Sequence, residues 1–277
     1  MSKSQLEKDS TQKAPSVKQK RDVIRQAPHR ITGGHTVPDL AGNPLTRESE
    51  LEQKVIKLVI CCHDVTAIDS QKTIDYTDSD GSACKYTPDL QVVVGGKLRH
   101  IEVKPLTRLL DPEKRAHYAM IFKCLMATGN QLDFITDDQA EILPRVTTAD
   151  LLKRYRCHPI PDQCLDLLKE ELSNGPISIR SILMRQPMQI TLADLYAAIS
   201  QRHLWIDWSI SLSPNCNVAL PYSGYGGLSY EDVLRAGRHG LVLERLVLGG
   251  GSEAERILAT EKTRRKRLPS ASPLNFF

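Results

Sequence analysis

The sequence predicts an α/β domain built on a mixed sheet, followed by a smaller module of three helices and a β wing. Three observations carry this. Two apolar, β-branched runs around residues 90–94 and 97–103 flank Gly95-Gly96, the signature of a hairpin closed by a two-residue primed turn. Helical patterns alternate with strand patterns on either side of that hairpin. Beyond residue 161, three helical signals in succession precede a β-rich stretch.

Taken in order, residues 1–30 are rich in Lys, Arg, Gln and Ser and poor in apolar residues, so they read as a basic tail that is disordered or folds on a partner. The first folded unit is expected over residues 31–148. Residues 38–46 form a Pro/Gly-punctuated loop. Thr46 or Ser49 then caps a helix reaching about Cys62, with Leu51, Val55, Leu58 or Val59, and Cys62 as its buried stripe. Glu48, Glu50 and Glu52 cluster in its first turn, where acids favour the helix dipole. A strand over residues 72–77, a turn at Asp78-Ser79-Asp80-Gly81 and the Gly-Gly hairpin follow, and Pro105 stops the last strand. Asp111-Pro112 opens an amphipathic helix ending at Gly129-Asn130. A strand over 131–136 is closed by Asp137-Asp138.

Residues 143–161 read as a connector, with the domain boundary at 148/149. In the module over 149–228, helices are expected at 162–172, 178–185 and 191–203, the last with Thr191 and Asp194 as a capping box. Strands at 205–212 and 217–220 complete a winged helix, the helix-turn-helix variant whose third helix can enter a DNA groove. Winged helices also serve as protein docking modules. Arg180, Arg185 and Arg202 suit a DNA role. Residues 229–277 read as a C-terminal helical and basic tail, with helices at 229–238 and 253–265 and the run Arg264-Arg265-Lys266-Arg267.

Composition agrees with a soluble protein: 277 residues, 40% hydrophobic and 25% charged, with a formal net charge of +4. The polar first thirty residues and the lack of an apolar run of about 18 residues predict no membrane segment and a cytoplasmic protein. Seven scattered cysteines without a C-x-x-C suit a reducing compartment and argue against a disulfide framework or a zinc site. Cys157-His158 with Cys164 is the one metal-like grouping outside the hairpin, and its ligands are too widely spaced.

The hairpin carries the chemistry. With Gly95-Gly96 as the turn, Val94 faces Lys97 and Asp89 falls opposite Glu102. Side chains opposed in this way stand about 4.5–5.5 Å apart at Cβ, and like charges there destabilise the sheet. Two such acids call for a cation, and the period of two puts Lys104 on the face of Glu102. Hydrolysis of a DNA phosphodiester needs an activated water and charge stabilisation on phosphate and leaving oxygen. Carboxylate-held Mg²⁺ supplies both, and a lysine can orient the water or neutralise the developing charge. Asp89, Glu102 and Lys104 form the P-D…E-x-K set of restriction-like nucleases. A solvent-facing strand with a salt-bridged acid is the plain structural alternative.

At these residues the chain resembles the TnsA endonuclease subunit of heteromeric cut-and-paste transposases. The likeness rests on Ser49-Glu50-Leu51-Glu52, Tyr86-Thr87-Pro88-Asp89, Ile101-Glu102-Val103-Lys104-Pro105 and Phe134-Ile135-Thr136-Asp137. It covers residues 45–140 closely and the winged-helix region in outline. It implies a restriction-endonuclease-like fold of the PD-(D/E)xK type, with Glu52, Asp89 and Glu102 as metal ligands, the Val103 carbonyl as a further ligand and Lys104 as the active-site lysine. Some family members carry Gln where this chain has Glu102. The resemblance further implies a Mg²⁺-dependent cut at the 5′ ends of the transposon, with Mn²⁺ able to substitute. It implies double-stranded DNA of the transposon ends as substrate, a DDE-type transposase that cuts and joins the 3′ ends, an AAA+ ATPase regulator docking on the C-terminal part, and a bacterial cytoplasmic location. A stand-alone restriction or repair nuclease and a non-catalytic DNA-binding or docking subunit are the two rival readings. The intact set Glu52, Asp89, Glu102 and Lys104 speaks against the second. Removing Asp89 is expected to relieve repulsion and leave thermal stability unchanged or raised.

Overall fold

A computed structural model describes residues 33–237 except 38, 79, 187 and 188, together with residue 256. The described residues form an α/β protein with a four-stranded mixed sheet and nine helices. The basic tail over 1–30, the Arg264–Arg267 run and, apart from helical Arg256, the helix expected at 253–265 lie outside them.

A short ribbon of β1 (Gly33–His35) and β2 (Leu45–Arg47) leads into α1 (Glu50–Val59). Ser49 is the cap: its hydroxyl oxygen accepts the Glu52 N–H at 3.1 Å. Thr46 instead bonds through its hydroxyl to Ser70, outside the ribbon. The buried face of α1 is Val55, Ile56, Leu58 and Val59, with Glu52 the one acid among them.

β3 (Val65–Ser70) follows, then a separate two-stranded ribbon of β4 (Ile74–Thr77) and β5 (Ala83–Tyr86), then the hairpin of β6 (Leu90–Val94) and β7 (Lys97–Val103). The strand beside β6 is β3, not the stretch at 72–77. β3 escapes a sequence reading because Asp69 and Ser70 give it a polar end. Its apolar residues Val65 and Ile68 are nonetheless buried. Next come α2 (Leu106–Leu110), α3 (Pro112–Ala127), capped by Asp111, and β8 (Gln131–Ile135), which joins β7 in parallel. The sheet order is β3-β6-β7-β8.

α4 (Asp137–Ala140) and α5 (Leu143–Lys153) occupy the stretch expected to be a connector, and α5 runs through residues 148 and 149. Pro144 is tolerated because it lies in the first turn, where an N–H has no intrahelical partner. Thr148, Ala149 and Leu152 then bury one side of α5.

Each sheet face has its own core. Val55, Ile56 and Val59 cover Val92, Ile101, Val103 and Ile135 on one side, and Leu109, Phe122 and Leu125 cover Leu132 and Phe134 on the other. The first core continues without a break through Leu152 into Leu168, Ile182, Leu195, Val218 and Tyr230. These last residues belong to α6 (Asp162–Glu171), α7 (Ile179–Arg185), α8 (Leu192–Ser200), the strand Asn217–Ala219 and α9 (Tyr230–Leu234). Strands β9 (Ile177–Ser178), β10 (Trp205–Ile206) and β11 (Asn217–Ala219) form a small antiparallel sheet ordered β10-β11-β9. β9 is too short to read from sequence.

Two expectations about DNA reading are corrected here. α8, the third helix, is buried from Asp194 to Ser200 on all sides, so it has no face to lay into a groove. Arg202 turns inward, donating to the carbonyls of Cys62 and Val65 and lying 3.7 Å from Asp39. Arg180 and Arg185 are exposed, Arg185 paired with Glu171 at 3.1 Å. No helix among the described residues is long and apolar enough to cross a membrane, and all seven cysteines are free thiols.

Arg156 joins the two regions. Its guanidinium, 6% exposed, pairs with Asp39 and donates to the carbonyls of Ile60 at 2.9 Å and Ser200 at 2.6 Å. Asp39 is exposed, but removing the buried guanidinium strands the Ile60 and Ser200 carbonyls. Arg156→Met should therefore lower the unfolding free energy by about 3 kcal/mol, checked by the urea midpoint; a loss within error would make this network dispensable.

Candidate functional site

Gly95 and Gly96 have φ of 55° and 77°, the left-handed pair that a type I′ turn requires. From Val94↔Lys97 to Leu90↔Ile101 the hairpin keeps the expected register. One step further, Asp89 leaves the ladder. Its Oδ2 accepts the Val103 N–H at 2.8 Å and the Lys104 ammonium at 2.9 Å. Lys104 Nζ also donates to Glu102 Oε1 at 2.7 Å. The ammonium thus stands between two carboxylates that meet at the end of the hairpin.

Glu52 approaches from the first turn of α1. Its Oε2 accepts the Glu48 N–H at 2.6 Å and its Oε1 accepts the Ser49 hydroxyl at 2.8 Å, a variant of the capping box that fixes the carboxylate. Glu48 points elsewhere, taking a hydrogen bond from Gln71, and Glu50 is exposed. Of the three acids in this turn, Glu52 alone is buried. Val103, the last residue of β7, is buried and spends its N–H on Asp89.

Two tyrosines belong to the site that sequence reasoning assigned no role. Tyr86 ends β5, and its hydroxyl donates to Glu102 Oε2. Tyr118 on α3 packs edge-on against Phe134 at 5.6 Å and feels the charges of Lys104, Glu102 and Asp89. The signal for Tyr86 was its place three residues before Asp89. Tyr118 carried none, since α3 reaches the site only through tertiary packing.

The electrostatics follow from burial and crowding. Burial lifts the Glu102 carboxyl, the Asp89 charge lifts it further, and Lys104 and Tyr86 oppose; the result is about 7. Glu52 is raised by burial above all and then by Asp89, against the Glu48 amide and Ser49 hydroxyl. Burial alone would favour the neutral amine of Lys104, but the Glu102 and Asp89 charges outweigh it and hold the ammonium above its usual value. Burial and the neighbouring Glu102 push the Tyr86 phenol up, so it remains a donor.

The donor set consists of carboxylate oxygens, the ligands that a hard divalent cation such as Mg²⁺ takes. Among the described residues no three His, Cys, Asp or Glu side chains are already gathered into a metal cage, Cys157, His158 and Cys164 included. Lys104 occupies the cation position between Asp89 and Glu102. The charges of Asp89 and Lys104 nevertheless act on both Glu52 and Glu102, and a divalent ion would offset the negative charge gathered there. In chemistry, the residues fit the group.

Compared with protein-family models and with curated proteins, the chain finds no match.

The hydrogen bonds revise one expectation. Because Asp89 satisfies the Val103 amide, its removal leaves a donor unpaired as well as relieving repulsion, so Asp89→Ala should lose rather than gain stability. A pH dependence follows from Glu102. Its folded value, about 7 against an ordinary 4.5, means that the folded chain keeps a proton the unfolded chain releases between those values. In metal-free buffer the unfolding free energy should therefore fall as pH rises through this window, by at most about 1.4 kcal/mol per unit. Urea midpoints across the window should show that fall, and Glu102→Gln should flatten it. An unchanged slope in Glu102→Gln would place the titration elsewhere.

Proposed function

We propose that this chain is the Mg²⁺-dependent DNA endonuclease subunit of a heteromeric, TnsA-like cut-and-paste transposase, cleaving the 5′ ends of the transposon in double-stranded DNA. A DDE-type transposase handles the 3′ ends, an AAA+ ATPase regulator docks on the C-terminal part, and the assembly works in the bacterial cytoplasm. The observation that carries this reading is the convergence of Glu52, Asp89, Glu102 and Lys104 at one end of the β6–β7 hairpin.

The fold supports the same reading. A helix, three antiparallel strands, a helix and a fourth, parallel strand, in the order α1, β3, β6, β7, α3, β8, are what a PD-(D/E)xK nuclease core needs. The order α6, β9, α7, α8, β10, β11 supports a winged helix. The burial of α8 favours this module as a docking surface over a reader of the DNA groove.

Glu52, Asp89 and Glu102, with the Val103 carbonyl, would hold the metal, which supplies charge to a phosphate oxygen and lowers the pKa of a water. Mn²⁺, which takes the same oxygen ligands, would substitute. The chain's residues do the rest. Ser49 and the Glu48 amide hold the Glu52 carboxylate, and the Val103 amide and Tyr86 hydroxyl hold Asp89 and Glu102. Lys104, kept protonated by its two acids, brings a positive charge to the developing charge on phosphate.

The test is single-turnover nicking of a duplex carrying transposon ends, with and without Mg²⁺ and the two partner subunits. Asp89→Asn, which keeps an acceptor for the Val103 amide, should abolish cleavage. Lys104→Ala should cut the rate about 100-fold or more with a near-normal Mg²⁺ midpoint, because an ammonium is no metal ligand. Metal-dependent nicking that survives Asp89→Asn would overturn the site. Sequence-specific cutting by the chain alone, without partners, would favour the stand-alone nuclease.

A further inference from the structure

The segment that carries Lys104 is anchored from an unexpected direction. Pro105 has no N–H, so the backbone donors nearest to Lys104 on that side are its own amide and that of Leu106. Lys104 N–H donates to the Ile135 carbonyl at 3.1 Å, and Leu106 N–H donates to Asp137 Oδ1 at 2.6 Å. Both acceptors lie in the run that ends β8 and opens α4. That run is in turn fixed by Gln139, 1% exposed, whose Oε1 accepts the Thr136 N–H at 2.7 Å and hydroxyl at 3.0 Å.

Gln139 has a second bond. Its Nε2 donates to the Leu234 carbonyl at 2.9 Å, in the last turn of α9. Three residues later, Gly237 rests on α4 with φ +76°. A Cβ there would stand 2.5 Å from Asp138 Oδ2 and 2.6 Å from the Asp138 carbonyl oxygen. Tyr230 pins the start of the same segment, through Asp64 to its N–H at 2.8 Å and Asp133 to its hydroxyl at 2.9 Å. The 230–237 segment therefore presses on the short helix that clamps the Lys104 turn.

From this juxtaposition we infer that Asp137 is a positioning residue for Lys104, and that Gln139 and Gly237 couple it to the C-terminal segment, so that a load on that segment reaches the active-site lysine. The inference rests on the nuclease reading for its consequence in catalysis, but not for the coupling itself. A hydrogen bond loosened at Leu106 frees the backbone that aims the ammonium, while the carboxylates, held by Ser49, Tyr86 and Val103, keep their places.

Amide hydrogen exchange read by NMR on the full chain separates the two. Asp137→Ala and Gly237→Ala should each speed exchange at Leu106 by about tenfold or more, with Val92 in the sheet core unchanged. Asp137→Asn retains Oδ1 and should restore Leu106 to within about threefold of the parent. Where the parent nicks DNA, the same two alanine variants should lose rate with DNA affinity unchanged, and Asp137→Asn should recover it. An unchanged Leu106 in Gly237→Ala, or equal acceleration at Val92, overturns the coupling. A parent chain that does not nick overturns the nuclease reading, while the exchange measurement still decides the inference.

Discussion

Two carboxylates held against one ammonium at the end of a hairpin are the constraint on which this structure turns. Gly95 and Gly96 fix the pairing as far as Leu90 and Ile101; beyond it Asp89 leaves the ladder and turns to the Val103 amide and Lys104, where its charge still bears on the buried Glu102. Three devices offset it. Lys104 bridges the pair, the Val103 amide holds Asp89, and the Tyr86 hydroxyl holds Glu102. Two of these come from the end of β7 and the third from the end of β5, so the ribbon β4–β5 and the end of β7 must both be in place for the acids to be tolerated.

The second constraint is the continuity of the core. α1 lies against the sheet on one side and against α5 on the other, and the apolar surface passes from there into α6, α7, α8 and the small sheet without interruption. Arg156 closes the same seam with polar bonds to Asp39, Ile60 and Ser200. Burying α8 in this way stabilises the assembly and removes the face that a groove-reading helix would need.

Together the two constraints give the C-terminal segment a mechanical connection. α9 is tied to the sheet through Tyr230 and Asp133, and to α4 through Leu234 and Gln139. α4 holds the turn after β7. A partner acting on the C-terminal part would therefore act on a body that shares hydrogen bonds with the lysine turn.

Local chemistry was legible in the sequence. The Gly-Gly turn, its register, Ser49 as cap, Asp111 before Pro112 and the Thr191–Asp194 capping box depend on residues within a few positions of each other, and each formed as the pattern required. That register also brought out Asp89, Glu102 and Lys104, because a period of two needs no tertiary information. What the sequence could not settle were distances between remote segments. The polar-ended β3 becomes a sheet strand only because β6 offers it an edge, residues 143–153 become a helix only because α1 offers a surface, and Arg202 turns inward only because the carbonyls of Cys62 and Val65 wait there. Tyr118, too, reaches the site through packing alone. Short-range hydrogen bonds and strand periodicity fix local form from sequence; burial and the partners of polar groups are settled only when distant segments compete for the same apolar surface and the same unpaired carbonyls.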